Sequence, residues 1–465
     1  MTYYLDPFGC VKNQVDAENM MAFLNRAGWT GAENAETADL IIINSCGFIE
    51  DAKRESINAV LGWRKLYPDK KILLAGCLAQ RYAKELAESL PEADALFGNT
   101  DLSGIVRAAG DAVNMAPDER TANLRPGKRP LLSLPGSAYV KISEGCNNRC
   151  SFCAIPLIRG GLRSRSVSDI TEESKTLLAR GIKELCLIGQ DTGSYGRDLI
   201  AAQTVAELDS AAVPSSVLPG LLEALSLLEG NFWVRLLYIH PDHFPLPILD
   251  IMEKDKRFLP YFDIPFQHAS EKILRLMNRH QNAEAYLDLI AAIRRRLPDA
   301  VIRSTFMTGF PGETEEDFAK LLDFQKKANL DWLGCFVYSR EENTPAWGMK
   351  GRVAKKTAAE RKHLIEEAQL PISEKQMDRF VGRPLEVLVE EKFEPSTDDT
   401  EDTQSAAPAT DGEPLLYLGR LPAHAPEVDG SALIFSPLPL ELGAIVPCRV
   451  TARAGFDLEV KAYKS

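Results

Sequence analysis

Three cysteines fall within eight residues at Cys146-Asn-Asn-Arg-Cys150-Ser-Phe-Cys153, directly after a strand-like run. The chain has only 9 cysteines in 465 residues, so such a triple is improbable by chance. The count is odd, and MTYYLDPFGC lacks a basic region followed by an apolar stretch. Both features argue against a disulfide framework and for a reducing, cytoplasmic setting. Metal ligation or redox chemistry then competes with burial as small hydrophobes. Cys186, Cys335 and Cys448 take the second reading, each inside an apolar stretch (ELCLIG, LGCFVY, AIVPCRV). Zinc sites usually want four ligands, and no fourth Cys or His lies near the triple. Three thiolates suit an iron–sulfur cluster with one iron left open to a small chelating ligand.

The first hundred residues repeat one pattern. YYL leads into Gly9-Cys10, ADLIIIN into Ser45-Cys46-Gly47 and KKILLA into Gly76-Cys77, and a helical stretch follows each cysteine. Short apolar runs alternating with helical segments predict a doubly wound parallel sheet. Ligand sites in such sheets form beyond the carboxyl ends of the strands, where all three cysteines fall. Residues far apart in sequence are therefore expected at one sheet edge. Three unrelated strand-end cysteines are the alternative.

Residues 110–136 are rich in Pro, Gly and charge and read as a linker. A second α/β series follows, with strands expected at 138–142, 183–189, 233–239, 261–266, 301–309 and 332–339. Six units in this length fit a partial (βα)6 barrel better than a closed eight-unit barrel. A charged amphipathic helix is expected at 355–380, interrupted near Pro371. RPLEVLVEE, LLYLGR, SALIF, AIVPCRVTA and FDLEVKAY then read as a small antiparallel β-barrel. An acidic loop, 391–414, interrupts it. The expected division is thus 1–125, 135–370 and 379–465.

Apolar residues form 45% and charged residues 26% of the chain, which suits a soluble protein with a sizeable core. No apolar run reaches the roughly 18 residues of a membrane helix. The formal net charge of −12 disfavours a dedicated nucleic-acid binder.

CxxxCxxC at the end of a first barrel strand resembles the radical S-adenosylmethionine (SAM) superfamily. The resemblance extends over nearly the whole chain to the methylthiotransferases, through GCVKNQVDAE (9–18), NSCGFIEDA (44–52), AGCLAQRY (75–82), KISEGCNNRCSFCAIPLIRG (141–160), IGQDTGSYG (188–196), DIPFQHAS (263–270) and STFMTGFPGETEEDF (304–318). It implies an N-terminal methylthiotransferase domain, a radical SAM barrel and a TRAM-like C-terminal barrel. It also implies two 4Fe–4S clusters, one held by Cys10, Cys46 and Cys77 and one by Cys146, Cys150 and Cys153. SAM would chelate the open iron of the second and serve as both methyl donor and radical source. By the same resemblance, Gly189, Gln190 and Asp191 would contact SAM's amino group, and Gly309, Gly312 and Glu313 its adenosine side. Read alone, these segments are equally turns between strands and helices. Arg163 and Arg165 suit a carboxylate or an exposed pair, and His240, His243 and His268 lie near strand ends, where structural histidines are commoner.

Two substrates compete within the family, a tRNA adenosine (MiaB-like) and an aspartate of small-subunit ribosomal protein S twelve (RimO-type). From Phe380 to Ser465 the chain carries 15 acidic against 7 basic residues, a balance of −8. RNA affinity rests largely on cations, whereas an acidic module attracts a basic ribosomal protein. GCVKNQVDAE also resembles the ribosomal-protein version, where tRNA enzymes typically carry GCQMN. Two positions depart from the pattern. Many relatives have Ser where Ala17 stands, and the acidic insert has the look of a lineage-specific addition. The expected protein is a monomer that draws on a flavodoxin- or ferredoxin-like electron donor and on a sulfur source. A non-catalytic iron–sulfur carrier is the reading from another class, although it needs neither the barrel nor GFPGET.

Overall fold

The computed structural model describes residues 1–115, 128–200, 216–393 and 414–463. Nearly all of the expected acidic loop, 394–413, and the middle of the expected linker, 116–127, lie outside them.

The N-terminal part is a five-stranded parallel sheet, ordered β2-β1-β3-β4-β5. Its strands are β1 (Thr2–Pro7), β2 (Thr30–Gly31), β3 (Leu40–Ser45), β4 (Lys71–Gly76) and β5 (Ala95–Phe97). Central strands buried on both faces need continuous apolar runs, which LIIIN and ILLA supply. Ile42 and Leu73 pack against Met20 and Leu24 of helix α1 (Val11–Arg26) and against Ile105 of α5 (Ile105–Ala112). Ile41 and Ile43 face Val60 of α2 (Glu50–Leu66), Leu78 of α3 (Cys77–Arg81) and Leu86 of α4 (Ala83–Ser89) on the other side. The sheet is doubly wound, as its alternation predicts.

The central part is a six-stranded parallel sheet, ordered β13-β12-β11-β10-β9-β6. It is the partial (βα)6 barrel. Its strands are β6 (Ser137–Lys141), β9 (Glu184–Ile188), β10 (Trp233–Leu236), β11 (Phe258–Asp263), β12 (Val301–Thr308) and β13 (Trp332–Val337). A two-stranded ribbon, β7 (Ser143–Glu144) with β8 (Arg163–Ser164), frames the loop carrying Cys146, Cys150 and Cys153. Two short helices follow that loop in sequence, α6 (Ile155–Arg159) and, beyond β8, α7 (Val167–Ala179).

The C-terminal strands β14 (Pro384–Lys392), β15 (Leu415–Arg420), β16 (Ala432–Ser436), β17 (Ile445–Ala454) and β18 (Asp457–Ala462) close into a barrel ordered β14-β15-β16-β18-β17. One pairing, β16 with β18, is parallel, so the barrel is antiparallel in all but that ladder. It packs on the strand starts of the central sheet. Glu184, the first residue of β9, pairs with Arg235 at 2.7 Å and with Arg420, and Trp332 Nε1 donates to Ala423 O at 3.0 Å. The opposite ends, where the cysteines stand, are left open. Cys186, Cys335 and Cys448 are buried in these cores, as small hydrophobes.

One expectation fails. The helix Lys355–Asp378 runs unbroken through Pro371. Pro371 faces solvent, while Ile365, Gln369, Ser373 and Met377 form a buried stripe. Gln369 Nε2 donates to Leu330 O at 2.8 Å, and Gln325 Nε2 to Ile365 O at 2.9 Å. Tertiary packing on that stripe outweighs the missing amide on the wet face.

Candidate functional site

Cys10, Cys46 and Cys77 follow β1, β3 and β4, three neighbouring strands of the parallel sheet. Asn13 fastens these ends, with its Nδ2 donating to Phe8 O at 2.7 Å and to Ser45 O at 3.2 Å. Gly47 permits the closest approach, since a Cβ there would lie 2.7 Å from Cys77 O. The strand-end inference from sequence therefore holds geometrically.

The second trio sits on a tight loop. Gly145 has φ +72°, and a Cβ there would lie 2.1 Å from Gly161 O, so only glycine fits. Cys146 N donates to Gly160 O at 3.1 Å, and Cys153 N to Cys150 O at 3.0 Å. Arg149 between them adopts φ 52°.

Both trios open onto one cavity of about 320 Å³. All six cysteines line it, together with Lys12, Arg159, Gln190, Tyr238, Gln267 and Arg279. The cavity lies where the N-terminal sheet meets the central one. Asp16 of α1 pairs with Arg159 at 2.9 Å and with Lys141 of β6, and Glu18 pairs with Arg129. The VDAE segment is thus a clamp between sheets. On the far side, Glu341 pairs with Arg81 at 2.7 Å and Lys53 at 3.2 Å.

The six thiols are free and fit iron–sulfur clusters by donor chemistry, because soft thiolates are what such clusters take. Three thiolates per trio suit a cluster with one iron left open better than a tetrahedral zinc, which usually takes four protein ligands. Burial pushes Cys77 and Cys153 up to about 12 and Cys146 up to about 11, and it also raises Cys46 and Cys150. A bound metal reverses this, since it takes thiols as thiolates.

Of the residues expected to contact SAM, only Gln190 lines the cavity. Asp191 is buried behind it. Its Oδ1 accepts from Gly193 N and His240 N, each at 3.0 Å. Its Oδ2 accepts from Asn148 Nδ2 at 2.8 Å, Ser194 Oγ at 2.6 Å and His243 Nδ1 at 2.9 Å. Burial would raise its pKa, but the hydrogen bonds from His243, Asn148 and Ser194 hold it well below the usual carboxylate range. Asp191 therefore orients the cysteine loop from behind. Gly189 packs against Ser143, where a Cβ would lie 2.7 Å from its Oγ.

Glu313 closes on its own turn. It accepts from Gly309 N at 2.8 Å and pairs with Arg361 at 2.7 Å. Gly309 lines a separate, wider cleft of about 1080 Å³ between α2 and residues 337–359. Gly312 N donates to Gly351 O at 2.7 Å. Arg165 pairs with Asp169 and Glu173, Arg163 is exposed, and His268 is fully buried. His240 lines the cavity, with Nε2 3.8 Å from Cys150 Sγ. Burial, aided by the charge of Arg279, lowers its pKa to about 2 and keeps it neutral.

Sequence reading missed three residues. Lys12 is 6% exposed, and its Nζ lies 2.9 Å from the centroid of the Tyr238 ring. Burial lowers its ammonium to about 8. Tyr238 and Gln267 adopt φ 65° and 68°. Setting asparagines aside, the non-glycine residues with positive φ among the described residues are Arg149, Tyr238, Gln267 and Glu427, and the first three line this cavity. Backbone strain of that kind persists where surrounding structure enforces it, commonly at functional sites. In sequence Tyr238 falls inside the run expected as a strand at 233–239, and Gln267 directly after the run at 261–266.

Comparison with known proteins agrees with this architecture. Residues 2–98 match the family described as "Uncharacterized protein family UPF0004", residues 140–324 the radical SAM superfamily and residues 381–462 the TRAM domain. A protein of Treponema denticola named "Ribosomal protein uS12 methylthiotransferase RimO" is 46% identical, over 98% of this chain and all of the relative. A protein of the same name from Syntrophomonas wolfei is 38% identical over 97% of each chain. Among solved structures, the radical SAM methyltransferase TsrM from Kitasatospora setae, solved with tryptophan substrate and a SAM analogue, superposes with a TM-score of 0.50 at 14% identity, over 74% of each chain, which speaks to fold alone. Full-length identity at this level decides the matter: the chain belongs to the RimO family of radical SAM methylthiotransferases.

Proposed function

We infer that this protein methylthiolates the β-carbon of an aspartate in small-subunit ribosomal protein uS12 (ribosomal protein S twelve). The carrying observation is that two cysteine trios from different sheets face one cavity. In this reading Cys146, Cys150 and Cys153 hold the 4Fe–4S cluster that binds SAM, and Cys10, Cys46 and Cys77 hold an auxiliary 4Fe–4S cluster. When bound, these groups supply a 5′-deoxyadenosyl radical, a methyl group and a held sulfur. The chain's own residues do the positioning. Gln190, which lines the cavity, would contact SAM, while Gly189 and Asp191 would set the loop behind it. Gly309, Gly312 and Glu313 shape the adenosine side through the turn they close with Arg361.

The domain division at 1–125, 135–370 and 379–465 belongs to the same proposal, as do a cytoplasmic monomer, a flavodoxin- or ferredoxin-like electron donor and an external sulfur source. Among the described residues, no helix is long and apolar enough to cross a membrane.

A protein substrate is favoured over tRNA by the C-terminal barrel. Three of its arginines are spent on internal carboxylates, Arg383 on Asp299, Arg420 on Glu184 and Glu390, and Arg453 on Asp378. Against 15 acidic residues in the same region, the other cations give phosphates little net attraction.

The test is mass spectrometry of uS12 after reaction with reconstituted, reduced enzyme, SAM and sulfide. A gain of one SCH₂ unit on an aspartate supports the reading. An unchanged protein alongside altered tRNA nucleosides refutes it, and absence of 5′-deoxyadenosine refutes any radical SAM activity.

A further inference from the structure

We propose that Lys12 is the specificity-determining residue for the substrate carboxylate: its buried, unpaired ammonium beside Cys10 receives the aspartate side chain whose β-carbon is modified. The inference rests on the uS12 reading above and names the group that recognises the substrate.

Taking an ammonium out of water is costly unless an anion meets it. Lys12 is 6% exposed, yet among the described residues its Nζ makes no hydrogen bond and no ion pair; it contacts the Tyr238 ring, and the nearby acidic groups Cys10, Asp263 and Glu144 act on it only through space. The other buried cations nearby are occupied. Arg159 pairs with Asp16 and Glu144, and Lys141 with the same two carboxylates. Arg279 donates to Pro265 O at 2.7 Å and lies toward the other trio, where its charge acts on Cys146, Cys150 and Cys153. Arg149 is exposed.

Position decides between Lys12 and Arg279. The acceptor carbon must meet a sulfur held on the Cys10, Cys46 and Cys77 side. In aspartate the carboxylate is one bond from that carbon. The cation that receives it must therefore stand beside the same trio, and Lys12 is two residues from Cys10. Tyr238, held at φ 65°, lies beneath the ammonium and fixes it by a cation–π contact, so the side chain is set in place before substrate arrives. The side-chain amide of Gln267 also lines the cavity, and among the described residues it makes no hydrogen bond. It is free to pair with a peptide backbone.

The test compares two peptides of the ribosomal protein, one with the target aspartate and one with asparagine there, on full-length iron-loaded enzyme. Wild type, Lys12→Met and Lys12→Arg are measured for kcat/KM with each peptide and for the KM of SAM. The expected wild-type preference for aspartate is on the order of tenfold to a hundredfold, the gain from charging one partner of a buried hydrogen bond, because asparagine keeps an acceptor oxygen. Lys12→Met should erase that ratio, and Lys12→Arg should restore most of it. A wild-type ratio near one overturns the proposal, whatever the variants do. So does a Lys12→Met loss that is equal for both peptides, which would mark a packing role. A raised KM for SAM with the peptide ratio intact would assign the ammonium to the methionine carboxylate and also overturn it. These outcomes leave the uS12 reading standing. If wild type cleaves SAM but modifies neither peptide, that reading falls and this inference with it.

Discussion

Arg159 Nη2 lies 3.2 Å from Cys77 Sγ, so the helix that follows one cysteine trio reaches a member of the other. The guanidinium is held in place by Asp16 and Glu144, each at 2.9 Å. A cation donating to a cluster sulfur favours the reduced, more negative state, and hydrogen bonds to the sulfurs are among the levers that set cluster potentials. Arg159→Met should lower the potential of the auxiliary cluster and move the other one less. Arg159→Lys should fall between. Redox titration followed by electron paramagnetic resonance reads both. An unmoved auxiliary potential would show that the contact has no electronic role.

The two trios stand on separate sheets, so each cluster should survive loss of the other. Reconstituted wild type should hold about eight irons, and Cys150→Ala and Cys46→Ala about four each, with different spectra. A variant that drops to zero would contradict separate sites.

Burial raises the thiols, and the sign of the pH effect follows. Cys77 and Cys153 move from an ordinary 9.0 up to about 12, and Cys146 to about 11. A folded value above the unfolded one means that the folded state holds its protons more tightly. The associated stability is complete below pH 9 and is lost as pH rises toward 11 to 12. Iron-free protein should therefore lose stability above pH 9. In the loaded protein the thiols are already thiolates, and this slope should vanish. Denaturant titrations of both forms from pH 8 to about 10.5 measure the difference. Buried tyrosines away from the cavity titrate alike in each form and cancel.

The strand-end cysteines were legible because parallel sheets place ligands at one edge, and residues following β1, β3 and β4 cannot avoid meeting there. The five closing strands were legible from their alternation. Lys12 was not, because its meaning depends on Tyr238, more than two hundred residues away, turning under it. Asp16 and Glu18 read as part of a motif, yet their work is to bind one sheet to the other. Gly309 and Glu313 stand in the motif GFPGET, but their bond to each other and the tie from Glu313 to Arg361 could not be read there, because Arg361 lies on a helix some fifty residues on. Pro371 read as a break, because no single-helix pattern reveals what packs on the opposite face.

The joint between the central sheet and the C-terminal barrel rests on Glu184, which is fully buried with Arg235 and Arg420. Arg420 also donates to Ser137 Oγ and pairs with Glu390, both at 2.8 Å. Removing one partner of a buried pair leaves an uncompensated charge. Arg420→Met should cost about 3–5 kcal/mol. Calorimetry should show the barrel melting apart from the rest. An unchanged Tm would mean that water reaches the joint.

Asp191 tests whether the SAM-side loop is held from behind. Its Oδ1 faces two backbone N–H groups, and its Oδ2 faces the Asn148 amide, Ser194 and His243. In Asp191→Asn the oxygen must stay on the backbone side. The new NH₂ then meets the Asn148 NH₂, donor against donor. Asn148 should swing away and loosen the turn between Cys146 and Cys150. The expected result is a higher KM for SAM and a weaker first cluster, with the auxiliary cluster intact, at a cost of about 1–3 kcal/mol in stability. Asp191→Glu, which keeps the charge but lengthens the arm, should recover part of the stability and little of the SAM affinity. Equal damage to both clusters would place the role of Asp191 in the fold as a whole rather than in this loop.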